Sequence, residues 1–245
     1  RTPCKSRTNK IFRIFGGVTI LLPVGRFYGV ARDFVLRPIR LFSIFVPMKN
    51  IVFDLGGVLF ARDKSKCTPE LLEFFSFLRA PRMPLFWEEY DRGTSTLEEV
   101  TATISGMTGR PVETCAAVLR LAVDLQEPVR PTERLVGDLK AAGYRLYVLS
   151  NMSREFIDFL RRFPVYGLFD GEVVSCEEHT VKPEPRIYEI LLERYGLTPS
   201  ETLFIDDGQK NVDAAQRLGF AVYMPGPGED FGHILDNLNR YEEIL

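Results

Sequence analysis

An α/β fold, a doubly wound parallel sheet with a small helical bundle inserted after its first strand, is predicted by three features of the sequence. The run from Lys49 to Leu59 carries a continuous apolar triplet, Ile51 to Phe53, which ends on Asp54 and turns at Gly56 and Gly57. A triplet without polar alternation marks a strand buried on both faces. Residues 64–127 then read as successive helices with no strand between them. From Pro131 onward strands and helices alternate, which requires parallel strands joined by crossovers.

Taken in order, the elements follow from local chemistry. Thr68-Pro69-Glu70 is a helix start, with Thr68 as N-cap and Pro69 in the first turn, leading into Leu71, Leu72, Phe75 and Leu78. The stretch Arg79 to Pro84, with two prolines, breaks that pattern. Leu85 to Tyr90 is a short helix stopped at Gly93, and Ser95 to Glu98 opens another that Gly109 ends. Val112, Cys115, Val118, Leu119 and Ala122 give the last inserted helix one apolar face.

In the second half, Thr132 to Ala142 is a helix closed by Gly143, and Arg145 to Leu149 is a strand that delivers Ser150 and Asn151. Met152 to Phe163 is helical, Phe169 to Ser175 is a weaker strand, and Lys182 to Arg186 leads into a helix ending near Gly196. Thr202 to Ile205 is a strand delivering Asp206 and Asp207; Asn211 to Leu218 is a helix, Ala221 to Met224 a strand, and His233 to Leu245 a terminal helix. In such a sheet the strand ends carrying Asp54, Ser150 and Asp206-Asp207 fall on one edge, where open α/β sheets bind ligands.

Composition narrows the function classes. At 245 residues and 45% hydrophobic content the chain suffices for one substantial packed domain with a smaller insert. Residues 1–47 hold nine Lys/Arg against Asp33 alone, a net +8, so the remainder is −10. An acidic body carries no electrostatic footprint for nucleic acid and suits a divalent cation. The basic segment contains an interrupted apolar run, Ile14 to Val24, too short to span a bilayer. Met48 directly precedes the first clear strand, so residues 1–47 are expected to lie outside the folded domain. Cys4, Cys67, Cys115 and Cys176 form no CxxC pair, which leaves a reducing, cytoplasmic setting as the default and suggests neither a disulfide framework nor a zinc site.

At the predicted edge stand three carboxylates, a hydroxyl beside an amide, and Lys182 entering just before a helix. Carboxylates without histidine or cysteine favour a hard, oxygen-liking ion such as Mg²⁺. A lysine and a small hydroxyl suit phosphate oxygens, and a carboxylate can serve as nucleophile. The plain alternatives are a helix cap at Ser150-Asn151, a surface lysine at 182 and a cap at Asp207. In the insert, Trp87, Tyr90 and Arg92 are the candidates for substrate contact. Aromatics at helical spacing more often fill a core, and Arg92 is equally suited to pairing with a nearby acid.

Four motifs in order, Phe-Asp54-Leu-Gly-Gly-Val-Leu, Leu-Ser150-Asn151, Lys182-Pro-Glu-Pro-Arg-Ile-Tyr, and Phe-Ile-Asp206-Asp207 followed by Asn211-Val-Asp-Ala-Ala, resemble the haloacid dehalogenase-like hydrolase superfamily over residues 49–230. Most of its members are phosphatases. The resemblance implies a Rossmann-like core of residues 48–63 and 128–245, with residues 64–127 as a helical cap. It implies Asp54 as nucleophile and metal ligand, the Gly56 carbonyl as a further ligand, and Ser150 and Lys182 as phosphate-binding groups that assist catalysis. Asp206 and Asp207 would complete a Mg²⁺ site, and Asn151 and Arg92 are the added substrate-binding candidates.

The sequence departs from that pattern at one place. Most phosphatases of the superfamily carry a second Asp two residues after the nucleophile as general acid/base; here the residue is Gly56. Losing such a group typically costs about 10²–10⁴ in rate, and less for a good leaving group such as an anomeric sugar phosphate. The subgroup similar to bacterial α-D-glucose-1-phosphate phosphatase shares the Asp-Leu-Gly pattern, so a small sugar phosphate is the leading substrate expectation. The rival readings are haloacid dehalogenation, which needs neither the second Asp nor a metal, and a non-catalytic phosphate-binding protein.

Overall fold

The computed structural model describes residues 48–62, 65–79 and 83–226, together with positions 234 and 238. The basic segment 1–47 and most of the expected terminal helix, His233 included, lie outside the described residues.

Five parallel strands form the central sheet in the order β5-β4-β1-β6-β7. These are β1 (Asn50–Phe53), β4 (Arg145–Ser150), β5 (Gly171–Val174), β6 (Thr202–Ile205) and β7 (Ala221–Tyr223). The central β1 is buried along its whole length, which explains its unbroken apolar triplet. Side chains alternate between faces. Ile51, Phe53, Leu146, Val148 and Ile205 enter one core, and Val52, Tyr147, Leu149 and Phe204 enter the other. The first core is covered by α5 (Arg130–Ala141) and α6 (Arg154–Leu160), and the second by α8 (Pro185–Tyr195) and α9 (Gln209–Arg217), with the one-turn α7 (Ser175–Glu178) following β5. Register is level across the middle, with Phe53 opposite both Val148 and Ile205. Asp54 and Asp206 therefore leave adjacent strands at the same level, and Ser150 ends the third strand one residue further along.

Between β1 and α5 the chain makes an excursion. Strand β2 (Phe60–Arg62) leads out and β3 (Gln126–Pro128) leads back, paired antiparallel with Phe60 opposite Pro128. This ribbon differs from the expectation for the insert, in which residues 64–127 read as successive helices with no strand between them. At three residues per strand, with a proline in one of them, it is too short to leave a periodic signal. Among the described residues, four α-helices lie between these strands: α1 (Pro69–Phe74), α2 (Leu85–Arg92), α3 (Leu97–Thr108) and α4 (Val112–Asp124).

The helix boundaries follow their caps. Thr68 accepts a hydrogen bond from the Leu71 amide, Thr96 and Glu99 form a capping box, and Gly93 and Gly109 close α2 and α3 in left-handed conformations. Helix α1 is shorter than its apolar pattern, ending at Phe74 before a 3₁₀ turn at Ser76–Arg79. Trp87 and Tyr90 are buried in the insert's own core, with the Trp87 ring against Phe75, Phe77, Phe86 and Tyr90. Trp87 thus packs, and is not free to meet a substrate.

One buried polar bond joins the crossover helix to the loop after Asp54: the Thr132 hydroxyl donates to the Val58 carbonyl at 2.8 Å. Thr132→Val keeps the shape and leaves that carbonyl unpaired in the interior. The expected cost is about 1–3 kcal/mol, seen as a lower urea midpoint with unchanged slope.

Candidate active site

Lys182 stands at the centre of the strand-end edge. Its side chain is 1% exposed, and its ammonium reaches Asp54 Oδ1 at 2.8 Å, Asp206 Oδ2 at 2.6 Å and the Leu149 carbonyl at 2.9 Å. Three donors meet three acceptors, the full capacity of a lysine. Burial alone would lower the lysine pKa, but the charges of Asp206 and Asp54 outweigh it and the net direction is upward. The lysine is therefore charged while it holds two carboxylates together.

Asp54 leaves β1 with its amide bonded to the Ile205 carbonyl at 2.9 Å, and its Oδ1 also accepts the Ser150 hydroxyl at 2.7 Å. Burial pushes its pKa up to about 6; Lys182 opposes this and the Asp206 charge reinforces it. Asp206 is fully buried. Its carboxylate accepts from the Gly208 amide at 2.7 Å and from Asn211 Nδ2 at 3.0 Å, both at the start of α9. Asp207 lies at the exposed rim, and its pKa is also raised, first by the partial burial of its carboxyl against the site and then by Asp206. Carboxylate oxygens of Asp54, Asp206 and Asp207 lie within 4.8 Å of one another.

Three carboxylates against one ammonium leave negative charge uncompensated, and the Asp206 charge adds to burial in raising both Asp54 and Asp207. All-oxygen donors with excess negative charge fit a hard divalent cation such as Mg²⁺. Gly56 and Gly57 form the exposed turn beside them. At Gly57, φ is +79° and an added Cβ would lie 2.3 Å from Asp207 Oδ2. Only glycine lets that carboxylate approach so closely. At Gly56 an added Cβ would meet nothing nearer than Met152 Cε at 3.9 Å, so the space for a larger residue is open there.

Two of the expected substrate-binding residues are engaged by partners within the protein. The Asn151 side chain donates to the Lys182 carbonyl at 2.9 Å and accepts from the Lys182 amide at 2.7 Å. It clamps the lysine's backbone, and both ends of its amide are engaged. The Arg92 guanidinium is taken up by Glu184 at 2.6 Å and 3.0 Å and by Glu88 at 2.9 Å, tying the insert to the loop that carries Lys182. This is the pairing with nearby acids that the sequence left open beside substrate contact.

One residue was missed. Asp91, at the end of α2, is pushed up to about 7, chiefly by burial and next by the charge of Asp54, while the Ser153 backbone favours its ionised form. An acid in the last turn of a helix opposes the helix dipole, and such a broken local rule is the signal that could have marked it. The turn behind it is pressed on the core: the Asp91 carbonyl accepts the Ser175 hydroxyl, and a Cβ on Gly93 would lie 2.4 Å from the Cys176 carbonyl. Beside this turn a cleft of about 700 Å³ opens, lined by Tyr90, Gly93, Arg154, Glu155, Glu177 and His179 among others. Across it the Tyr90 hydroxyl donates to Glu155 at 2.5 Å.

The parallel sheet, with a helical insert after its first strand and an acidic cluster at its carboxyl edge, defines a class of α/β enzyme. Residues 48–219 match the profile of the haloacid dehalogenase-like hydrolases, and the chain belongs to that family. It is 27% identical over 201 residues to a D-ribitol-5-phosphate phosphatase of Bacteroides thetaiotaomicron, spanning 75% of this chain and 95% of that protein. It is 29% identical over 172 residues to a sesquiterpene phosphatase of Aspergillus oryzae, covering 70% and 86% respectively. Among solved structures, a haloacid dehalogenase family enzyme from B. thetaiotaomicron in complex with magnesium and inorganic phosphate superposes with a TM-score of 0.63 at 29% identity, over 76% of this chain and 98% of the other. Among the described residues, no helix is long and apolar enough to cross a membrane.

Gly57→Ala should displace Asp207 and lower Mg²⁺ affinity about 10–100-fold, the scale for residues that position a ligand. Calorimetric titration of the folded variant measures this, and an unchanged affinity would separate Asp207 from the metal site.

Proposed function

We propose that this hydrolase is a Mg²⁺-dependent phosphatase that cleaves a small phosphate monoester through an aspartyl-phosphate on Asp54. The observation that carries the reading is the buried Asp54–Lys182–Asp206 arrangement with Asp207 beside it. Asp54, Asp206, Asp207 and the Gly56 carbonyl would hold the ion, which when bound cancels charge between the carboxylates and a phosphate.

The chain's own groups divide the remaining work. Lys182 and Ser150 hold Asp54 Oδ1 in place and are positioned to share phosphate oxygens as charge moves toward them. Asn151 keeps Lys182 at a fixed height above the sheet. Asp54 attacks phosphorus, the bond to the leaving oxygen breaks, and water later attacks the same phosphorus to free phosphate and the carboxylate. A phosphorylated polyol or sugar is the favoured substrate class, because the chain is similar to a D-ribitol-5-phosphate phosphatase over 95% of that protein's length. Residues 64–127 are read as the cap that borders this cleft. A dehalogenase would have no use for the full acidic set at Asp54, Asp206 and Asp207.

Asp54→Asn should abolish turnover of p-nitrophenyl phosphate in Mg²⁺, and chelation should abolish it in the wild type. Undiminished activity in the variant would remove Asp54 from the mechanism. Halide release from a 2-haloacid without added metal would overturn the phosphatase reading in favour of dehalogenation.

A further inference from the structure

We infer that Asp91, supplied by the helical insert, is the general acid/base of this site and takes over the work of the carboxylate absent at Gly56. The inference rests on the phosphatase reading and adds to it the group that moves the proton.

The position of Asp91 is fixed by several contacts independent of its ionisation. Gly93 is pressed on the Cys176 backbone, Ser175 holds the Asp91 carbonyl, and Arg92 is bound to Glu184 just beyond Lys182. On the other side, Tyr90 is hydrogen-bonded to Glu155 of α6. These contacts set the last turn of α2 against the loop that follows Ser150 and Asn151. The carboxyl then faces the Ser153 amide, close enough to Asp54 that this charge is the largest influence on it after burial. The other charges acting on it are Glu88 from its own helix and Lys182 from the core. Below, a Cβ added at Gly56 would have Met152 Cε, at 3.9 Å, as its nearest contact outside its chain neighbours. A leaving group can occupy the space beside Gly56 and still present its oxygen to a proton donor arriving from the insert.

The chemistry balances with no further reactant. As Asp54 attacks, the bond from phosphorus to the leaving oxygen breaks, and that oxygen keeps the electron pair and takes the Asp91 proton, yielding an alcohol and the Asp91 carboxylate. In the second step Asp91 takes a proton from water as the water oxygen attacks phosphorus. The bond to Asp54 then breaks, releasing phosphate and restoring both carboxyl groups. A pKa of about 7 suits a group that must donate and then accept near neutrality.

The test compares wild type, Asp91→Asn and the double variant Asp91→Asn/Gly56→Asp in Mg²⁺. The substrates are aryl phosphates of similar size, from p-nitrophenyl to phenyl and methylphenyl phosphate. Asparagine keeps the volume and an acceptor for the Ser153 amide, so thermal unfolding should be little changed. The loss in kcat/KM for Asp91→Asn should grow as the leaving group worsens, reaching about 10²–10⁴-fold for the poorest. With p-nitrophenyl phosphate, rapid quench should show a stoichiometric burst before a slow steady state, because the phosphorylated Asp54 waits for water. Aspartate at Gly56 should restore turnover in the double variant. Unchanged rates, or an equal loss across the series without a burst, would overturn the role of Asp91 while leaving an Asp54-dependent phosphatase intact. A wild type inactive on every aryl phosphate would instead sink the phosphatase reading, and this inference with it.

Discussion

One ammonium group holds the site together. Lys182 is buried, and so are the two carboxylates it joins, so none of the three can rely on water to carry its charge. Removing one partner of a buried pair typically costs about 3–5 kcal/mol, because the remaining charge is stranded. The third acceptor, the Leu149 carbonyl, belongs to the sheet itself, so the lysine is referenced to backbone as well as to its partners. Asn151 adds the same kind of reference from the other side, fixing the Lys182 peptide through both its amide and its carbonyl. The Asp54 carboxylate is placed by backbone geometry transmitted through one side chain.

The electrostatics remain unbalanced in a useful direction. One positive charge cannot neutralise Asp54, Asp206 and Asp207, and the Asp206 charge adds to burial, the larger cause, in raising the pKa of Asp54 to about 6. A cation is the natural complement, and the family's solved relative from Bacteroides thetaiotaomicron contains magnesium and phosphate together. The same excess reaches Asp91 in the insert, where the Asp54 charge adds to the effect of burial. Two elements far apart in sequence thus share one field.

Much of this was legible beforehand, for reasons that can be named. Strands β1, β4 and β6 are buried on both faces and read as apolar runs ending on polar residues, which located Asp54, Ser150 and Asp206 together. The caps at Thr68, Thr96, Gly93 and Gly109 set helix boundaries by local chemistry alone. The β2–β3 ribbon was not legible, since its pairing joins residues 60 and 128 and each strand is shorter than one period of evidence. The partners of Asn151 and Arg92 were also hidden, because a side chain that reaches 31 or 92 residues along the chain leaves no trace in its own neighbourhood. Asp91 did leave one, an acid where a helix end prefers a base.

The level register of β1 against β4 and β6 has a consequence for how this chain tolerates change. Phe53 sits opposite Val148 on one side and Ile205 on the other, so the three strands act as parallel rulers with a common zero. Adding or deleting one residue in any of them would shift its terminal side chain by about 3.3 Å and turn it to the opposite face. Ligand distances in a metal site hold within about 0.2 Å. Insertions and deletions are therefore compatible with the site in the connections and the helical insert, where loops absorb them, and incompatible within these three strands.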